Sequence, residues 1–119
     1  MWIFLNDAAL SIVADRDNED RLLVRGRIEG DIDRVFPEAQ VSHTPEFDYA
    51  YRAFIARDAV ADVIARNIDS IQYDNFKNSI EPQDHARHTA YLNVWFSMRD
   101  YQEDQELARA NDLMKIGRF

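Results

Sequence analysis

The sequence has no cysteine and little glycine or proline. Its 119 residues include three glycines and three prolines. A chain without cysteine forms neither a disulfide nor a thiolate metal site, and this composition fits the cytoplasm, where we expect the protein to reside. The scarcity of glycine and proline excludes a flexible low-complexity segment. Because no apolar run approaches the roughly 20 residues of a membrane span, we expect no membrane partner.

Positive charge is also in short supply. Fourteen Lys and Arg residues stand against 22 Asp and Glu residues, which gives a formal net charge of −8. Direct nucleic-acid binding requires clustered Lys and Arg, so the charge balance argues against it. The same balance favours a protein partner with a basic surface. The acidic residues gather in segments 15–20, 29–33 and 100–106, for which a solvated surface is the alternative role.

The apolar pattern predicts an α+β fold with elements in the order β-β-β-α-β-α-α. We place two strands within residues 2–14 and one at residues 22–28. In the 22–28 segment, Leu22 and Val24 fall on one face. Leu23, Arg25 and Arg27 fall on the other. This alternation is typical of an antiparallel strand with one wet face.

A fourth strand is predicted at residues 49–56. Tyr49 and Tyr51 fall on one of its faces, and Arg52 and Phe54 fall on the other. Together the strands predict an antiparallel sheet of about four strands, covered on one face by two to three helices. The pattern also allows a short strand near Val41.

Three helices are predicted. The first is short and follows Asp31, a possible N-cap, and the second spans residues 58–71 with Asp58 as its cap. The third begins at Pro82 and is apolar on more than one stripe, which indicates burial on two sides and allows a homodimer. We assign residues 1–102 to a single α+β domain and residues 103–119 to a helical extension or a partly frayed tail.

Short motifs in the chain are similar to those of a known family. They are W-x-F-x-N from Trp2, Y-x-N-F-K-N from Tyr73 and Y-x-x-V-W from Tyr91. Over about residues 2–102 the sequence resembles a widespread family of small uncharacterised bacterial proteins. The resemblance implies a bacterial or phage source and a free-standing domain. It implies no catalytic residue, because no activity is attached to the family.

The densest group of polar and aromatic residues lies between the second and third predicted helices. Its members are Tyr73, Asn75, Phe76, Lys77 and Asn78. Amides, an ammonium group and rings on one loop are suited to binding a partner chain or a small polar ligand. The structural alternative is that Asn and Asp side chains fix a turn while Phe76 packs into the core.

Three arginines form a second candidate site. Arg25 and Arg27 share a strand face, and Arg52 lies on a strand that can be their neighbour. A guanidinium group binds a carboxylate or a phosphate through two parallel hydrogen bonds, so this face is a candidate anion site. The alternative is pairing with carboxylates of the same sheet. The carboxylates available for that pairing are Asp15, Asp48 and Glu46.

His85 and His88 are weak candidates for metal ligands. Their spacing places both imidazole rings on one face of a helix. No further motif supplies the remaining ligands, and Arg87 places a positive charge between them, so a surface role is the favoured interpretation. We therefore predict no metal and no cofactor.

Catalytic motifs do not stand out in the sequence. It has no glycine-rich phosphate loop, no G-x-S-x-G and no H-E-x-x-H. We therefore predict a non-enzymatic acidic module that binds a protein partner stoichiometrically, as an immunity protein, an anti-defence inhibitor or a regulatory subunit does. The alternative is a domain that binds a small ligand or a metal, with weak enzymatic activity.

Overall fold

The computed structural model describes residues 1–117 and divides into two compact units, residues 1–79 and residues 80 onward. The first unit contains an open antiparallel sheet. Its strands are β1 (Trp2–Phe4), β2 (Ala9–Ala14), β3 (Arg21–Gly26), β4 (Ser42–His43) and β5 (Tyr51–Ala56). Their spatial order is β1-β2-β3-β5-β4. The α+β prediction is confirmed, with five strands where about four were expected.

Two helices accompany the sheet, and a third forms most of the second unit. They are α1 (Asp31–Val35), α2 (Arg57–Asp69) and α3 (His85–Ile116), with a short 3₁₀ turn at Lys77–Ser79. The first unit therefore has two layers, because α1 and α2 cover one sheet face. Among the described residues, no helix combines the length and the apolar character needed to cross a bilayer.

The core lies between that sheet face and the two helices. The strands contribute Leu10, Ile12, Val24 and Ala53, and the helical layer contributes Ile32, Phe36 and Val60. The alternation read from the sequence therefore holds in β2, β3 and β5. It ends earlier than predicted in β3, because Gly26 is the last strand residue and Ile28, which is 56% exposed, lies in the turn before α1.

Helix α1 begins one residue earlier than the capping pattern indicated. Gly30, not Asp31, is the N-cap, and its φ of 88° is in the left-handed region that favours glycine. Asp31 is the first helical residue and is fully buried. One of its carboxylate oxygens accepts a hydrogen bond from the Ala9 amide at 3.0 Å, and the other pairs with Arg34. The side chain therefore ties α1 to the start of β2.

The other two helix starts also differ from expectation. Helix α2 follows β5 directly, so Ala56 is its N-cap and Asp58 lies inside the first turn. Helix α3 begins at His85, three residues after Pro82, because Asp84 caps it by accepting a hydrogen bond from the Arg87 amide at 3.0 Å. The helix continues through residues 102 and 103, where the domain boundary was expected, to Ile116. Of the predicted frayed end, Arg118 and Phe119 lie outside the described residues.

Candidate binding surface on the open face of the sheet

The sheet face opposite the core, called the open face below, carries one row of side chains across all five strands. Strand register pairs Trp2 with Ser11, Ser11 with Arg25, Arg25 with Arg52, and Arg52 with Ser42. Directly opposed residues point to the same face of an antiparallel pair, so these five share the open face. The predicted grouping of Arg25 with Arg52 is therefore observed as direct cross-strand neighbours.

Opposition of two arginines is electrostatically unfavourable. Like charges directly across a strand pair destabilise a sheet. Neither Arg25 nor Arg52 forms an ion pair with a carboxylate within residues 1–117. The predicted neutralisation by Asp15, Asp48 or Glu46 thus does not occur as an ion pair at these two residues, and the pair keeps its positive charge.

Aromatic rings hold the guanidinium groups in place. The Arg25 guanidinium carbon lies 4.5 Å from the centre of the Tyr49 ring, and the Arg27 carbon lies 4.1 Å from the same centre. Arg52 lies 4.5 Å from the centre of the Phe47 ring. Contacts of this kind attract a cation to the negative ring face and restrict its side chain. The loop between β4 and β5 supplies both rings.

Tyr49 therefore does not occupy the position predicted for it. The alternation grouped it with Tyr51 on one face of the predicted strand, but β5 begins only at Tyr51. Thr44 closes the preceding loop, since its amide donates to the Ala50 carbonyl at 2.6 Å and its hydroxyl contacts the Tyr49 carbonyl at 3.2 Å. This loop leaves Tyr49 free of the strand alternation and places its ring against the arginines.

Arg27 is the member of the predicted trio that does find a carboxylate. It lies just beyond β3 and contacts Asp48 through two nitrogens, at 2.9 and 3.4 Å. The Arg27 hydrogen bond and charge lower the pKa of the Asp48 carboxyl, and the charges of Arg25 and Arg52 lower it further. Asp48 also raises the pKa of Arg27. The alternative interpretation of the arginines, pairing within the sheet, thus describes Arg27.

Two buried nitrogens mark Arg25 and Arg52 as incompletely bonded. The Nε atom of each is shielded from solvent and has no hydrogen-bond partner. An Nη atom of Arg25 donates to the Ser11 hydroxyl at 2.7 Å, which helps to explain why Ser11 is buried on this otherwise open face. Leaving a buried donor unpaired costs roughly 1–3 kcal/mol. The fold therefore sustains an electrostatic and a hydrogen-bonding cost at the same two residues.

Exposed aromatic side chains share the open face with the arginine pair. Trp2 is 75% exposed on β1, and Phe54 is 54% exposed on β5. Phe4 follows Trp2 on the same face, and the Arg21 guanidinium lies 4.8 Å from the centre of the Phe54 ring. The open face therefore combines arginines with large apolar side chains, a composition that is enriched in protein interfaces.

Asp15, the residue that follows β2, is held by contacts within the β2–β3 turn. Its carboxylate pairs with Arg21 at 2.7 Å and accepts a hydrogen bond from the Asp17 amide at 3.0 Å. The Asp17 bond makes the largest contribution to a lowered pKa at Asp15, and the Arg21 hydrogen bond and charge add to it. The acidic segment 15–20 thus folds as the β2–β3 turn, with one carboxylate used internally.

Local contacts shape the predicted loop site at Tyr73–Asn78. Asn75 accepts a hydrogen bond from the Asn78 amide at 3.2 Å, which fixes the start of the 3₁₀ turn. The Tyr73 and Phe76 rings are tilted against each other, with centres 5.6 Å apart. Lys77 and Phe76 are half-buried. These bonds support the turn-forming interpretation of the segment.

The histidines do not assemble a metal site. His85 and His88 are both exposed in the first turn of α3. Within residues 1–117, no cluster of three or more His, Cys, Asp or Glu side chains is arranged to hold a metal ion. Between them, Arg87 pairs with Asp84 at 3.0 Å and contacts the Tyr91 hydroxyl at 3.1 Å. The local charge around the two imidazoles is therefore mixed.

Comparison with protein-family models, with curated proteins and with solved structures finds no match to this chain. The resemblance carried by the short motifs consequently stays a prediction.

Sequence reasoning missed several residues of this surface. The sequence predicts strands for Trp2, Ser11 and Phe54 but no site at these residues. The alternation groups Phe54 with Arg52, whereas Trp2 lies in a continuous apolar run that shows no alternation. Phe47 and Tyr49 had no such signal, because a loop without periodicity delivers their rings.

Proposed function

We propose that the chain is a non-enzymatic module that binds another protein stoichiometrically through the open face of its sheet. The observation that carries this proposal is the exposure of Trp2 and Phe54 on the same sheet face as the Arg25–Arg52 pair. Binding hot spots are enriched in Trp, Tyr and Arg, and rigid aromatic anchors lose little conformational entropy on binding. The open face presents this composition on strands rather than on a mobile loop.

The charge distribution predicts two properties of the partner, one for long-range attraction and one for the contact surface. The net charge of −8 favours a partner whose total surface is basic, because attraction over long range depends on total charge. At contact, local groups decide, and on this face the unpaired local charge is positive. Immunity, anti-defence inhibition and regulation of an enzyme all operate through such stoichiometric occlusion, and they are the roles that we propose.

Site-specific crosslinking tests this proposal. A photoreactive amino acid replaces Phe54 in one variant and Ile68 in a control variant, since Ile68 is similarly exposed but lies on α2. Both proteins are irradiated in an extract of the cells that encode the chain. We expect one dominant protein adduct at position 54, and we expect that adduct to be absent from the variant with the photoreactive residue at position 68. The adduct protein is then purified and titrated against the unmodified chain.

The titration decides the result. A saturable complex of fixed stoichiometry that weakens with salt and is lost on Phe54→Ser, but retained on Ile68→Ser, supports the proposal. The same adducts at both positions, or a complex indifferent to Phe54→Ser, would refute it. If the only adducts contain a second copy of the chain, the open face mediates self-association and the proposal of a different protein partner is wrong.

A further inference from the structure

The geometry points to the Arg25–Arg52 pair as a receptor for a carboxylate group. The proposal concerns the chemistry of this site and relies on the proposed function only for the source of the carboxylate. It begins from the residual charge of the site. Arg25 and Arg52 oppose each other directly, and neither is ion-paired in the described chain.

An anion between the two guanidinium groups would remove the unfavourable charge opposition. Hydrogen bonds between a guanidinium and a carboxylate are charge-assisted and about twice as strong as neutral ones. The Arg52 side chain has no hydrogen bond and no ion pair within residues 1–117, whereas Arg25 uses one Nη atom on Ser11. Because both Nε atoms are buried, the terminal amino groups are the donors that remain for a ligand.

The site is organised before any ligand arrives. The rings of Tyr49 and Phe47 support the two guanidinium groups, and the Ser11 hydroxyl anchors one of them. The backbone positions are set by the registers of three neighbouring strands. Donors that are already oriented lose little freedom on binding, which strengthens binding without further contacts.

The local charge makes the site attractive to an anion. Asp48 feels the charges of both Arg25 and Arg52, which help to lower its pKa, and it is paired with Arg27. The four groups Arg25, Arg27, Arg52 and Asp48 together carry a formal charge of 3 − 1 = +2. A planar guanidinium matches a planar carboxylate through two parallel hydrogen bonds. A protein partner of the kind proposed above offers carboxylates at its Asp and Glu side chains and at its chain end, so a carboxylate is the anion that we assign to this site.

The carboxylate has three possible sources with the same chemistry. It can belong to an Asp or Glu side chain of the partner, to a free chain terminus of the partner, or to a small carboxylate molecule. Trp2 and Phe54 are exposed on the same sheet face as the arginine pair and are available to contact apolar groups beside a partner carboxylate. The experiment below separates the three sources.

Nitrogen-resolved NMR on the full chain tests the site. The Nε–H signals of Arg25 and Arg52 are followed during addition of acetate, with chloride at the same ionic strength as control. Two further probes are a short N-acetylated peptide with a free terminal carboxylate and an N-acetylated, amidated peptide with one internal Asp. Arg52→Gln removes one arginine of the pair. Arg66→Gln is the control, because it removes the same charge from an exposed position on α2.

We expect saturable shifts of both signals with acetate and none of comparable form with chloride. Arg52→Gln should weaken binding about tenfold or more, and Arg66→Gln should leave it unchanged, since losing one charge-assisted bond corresponds to at least a tenfold change. The peptide that binds more tightly than acetate identifies a terminal or a side-chain source. Acetate binding that neither peptide exceeds identifies a small carboxylate.

Linear shifts identical in acetate and chloride would overturn the site. Tighter binding of inorganic phosphate than of acetate would overturn its assignment to carboxylates. Thermal unfolding of each variant verifies that Arg52→Gln folds, and Arg52→Lys, which keeps the charge but not the planar fork, gives a second test. Because acetate needs no partner protein, failure here is distinguishable from failure of the proposed interface.

Discussion

Asp31 shows how one side chain can secure two elements. It is fully buried, and its two carboxylate oxygens face the Ala9 amide and the Arg34 guanidinium. Arg34 in turn donates to the Asp7 carbonyl at 2.8 Å. The β1–β2 turn and α1 are thus joined by one continuous chain of hydrogen bonds.

Removing that carboxylate should destabilise the first unit strongly. Asp31→Ala leaves the buried Ala9 amide unpaired and removes the ion pair with Arg34, so we expect a loss of roughly 3 kcal/mol in the free energy of unfolding. Urea denaturation followed by circular dichroism measures it. Asp33→Ala, an exposed neighbour on the same helix, is the control and should stay within about 0.5 kcal/mol of the parent. Equal losses in both variants would contradict this role of Asp31.

Asp15 makes the free energy of unfolding depend on pH. Its pKa is lowered in the folded chain by the Asp17 amide and by Arg21. A lowered folded pKa contributes stability that is fully present above the ordinary carboxyl pKa of 3.8 and is lost as the pH falls through the lowered value.

Asp15→Asn should therefore be less stable than the parent at about pH 7, and the difference should be smaller at about pH 2, because the parent carboxyl gains a proton as the pH falls through its lowered pKa. Urea unfolding at the two pH values measures the difference. Asp17→Asn, which alters an exposed carboxyl in the same turn, should show a much smaller dependence. A difference between Asp15→Asn and the parent that is constant with pH would exclude the charge as its cause.

At the scale of elements, the start of α3 depends on Asp84. Its side chain caps the Arg87 amide at 3.0 Å and pairs with the Arg87 Nε at the same distance. The Arg87 side chain is only 8% exposed, so the ion pair is shielded from solvent on that side.

Asp84→Ala should cost about 1 kcal/mol of stability through loss of the cap, and the lost ion pair with Arg87 should add to that cost. Asp100→Ala removes the same charge from an exposed position inside α3 and should have little effect. Thermal unfolding recorded in the far-ultraviolet compares the two. Greater destabilisation by Asp100→Ala would show that capping does not limit this helix.

The elements also show what sequence could predict. Helix α2 and strands β2 and β3 were predictable because Val60, Val63 and Ile64 repeat with helical period and Leu22 and Val24 alternate with period two. The Arg25–Arg52 opposition was not, since a register is set by turns that couple distant segments. The sequence pattern could indicate that the two arginines share a sheet face, but it could not indicate which aromatic rings support them.

At the scale of the whole molecule, the first unit contains everything its core needs. Every residue packed in the core cluster lies between Ile3 and Ile64. We therefore expect a fragment of residues 1–79 to fold by itself and to keep the dispersed amide spectrum of a β-sheet protein. A fragment of residues 1–56, which lacks α2 and so Val60, should not fold. If neither fragment folds, the second unit is required for folding.

The two outermost strands limit how the molecule can associate. β1 has three residues and β4 has two, and each lies at an edge of the sheet. Unpaired edge strands are templates for sheet growth into fibrils, and short ones offer few backbone groups for another strand to join. The short edge strands thus disfavour growth of the sheet along its hydrogen-bonding direction, which lowers the risk of fibril formation by a protein with an exposed aromatic sheet face.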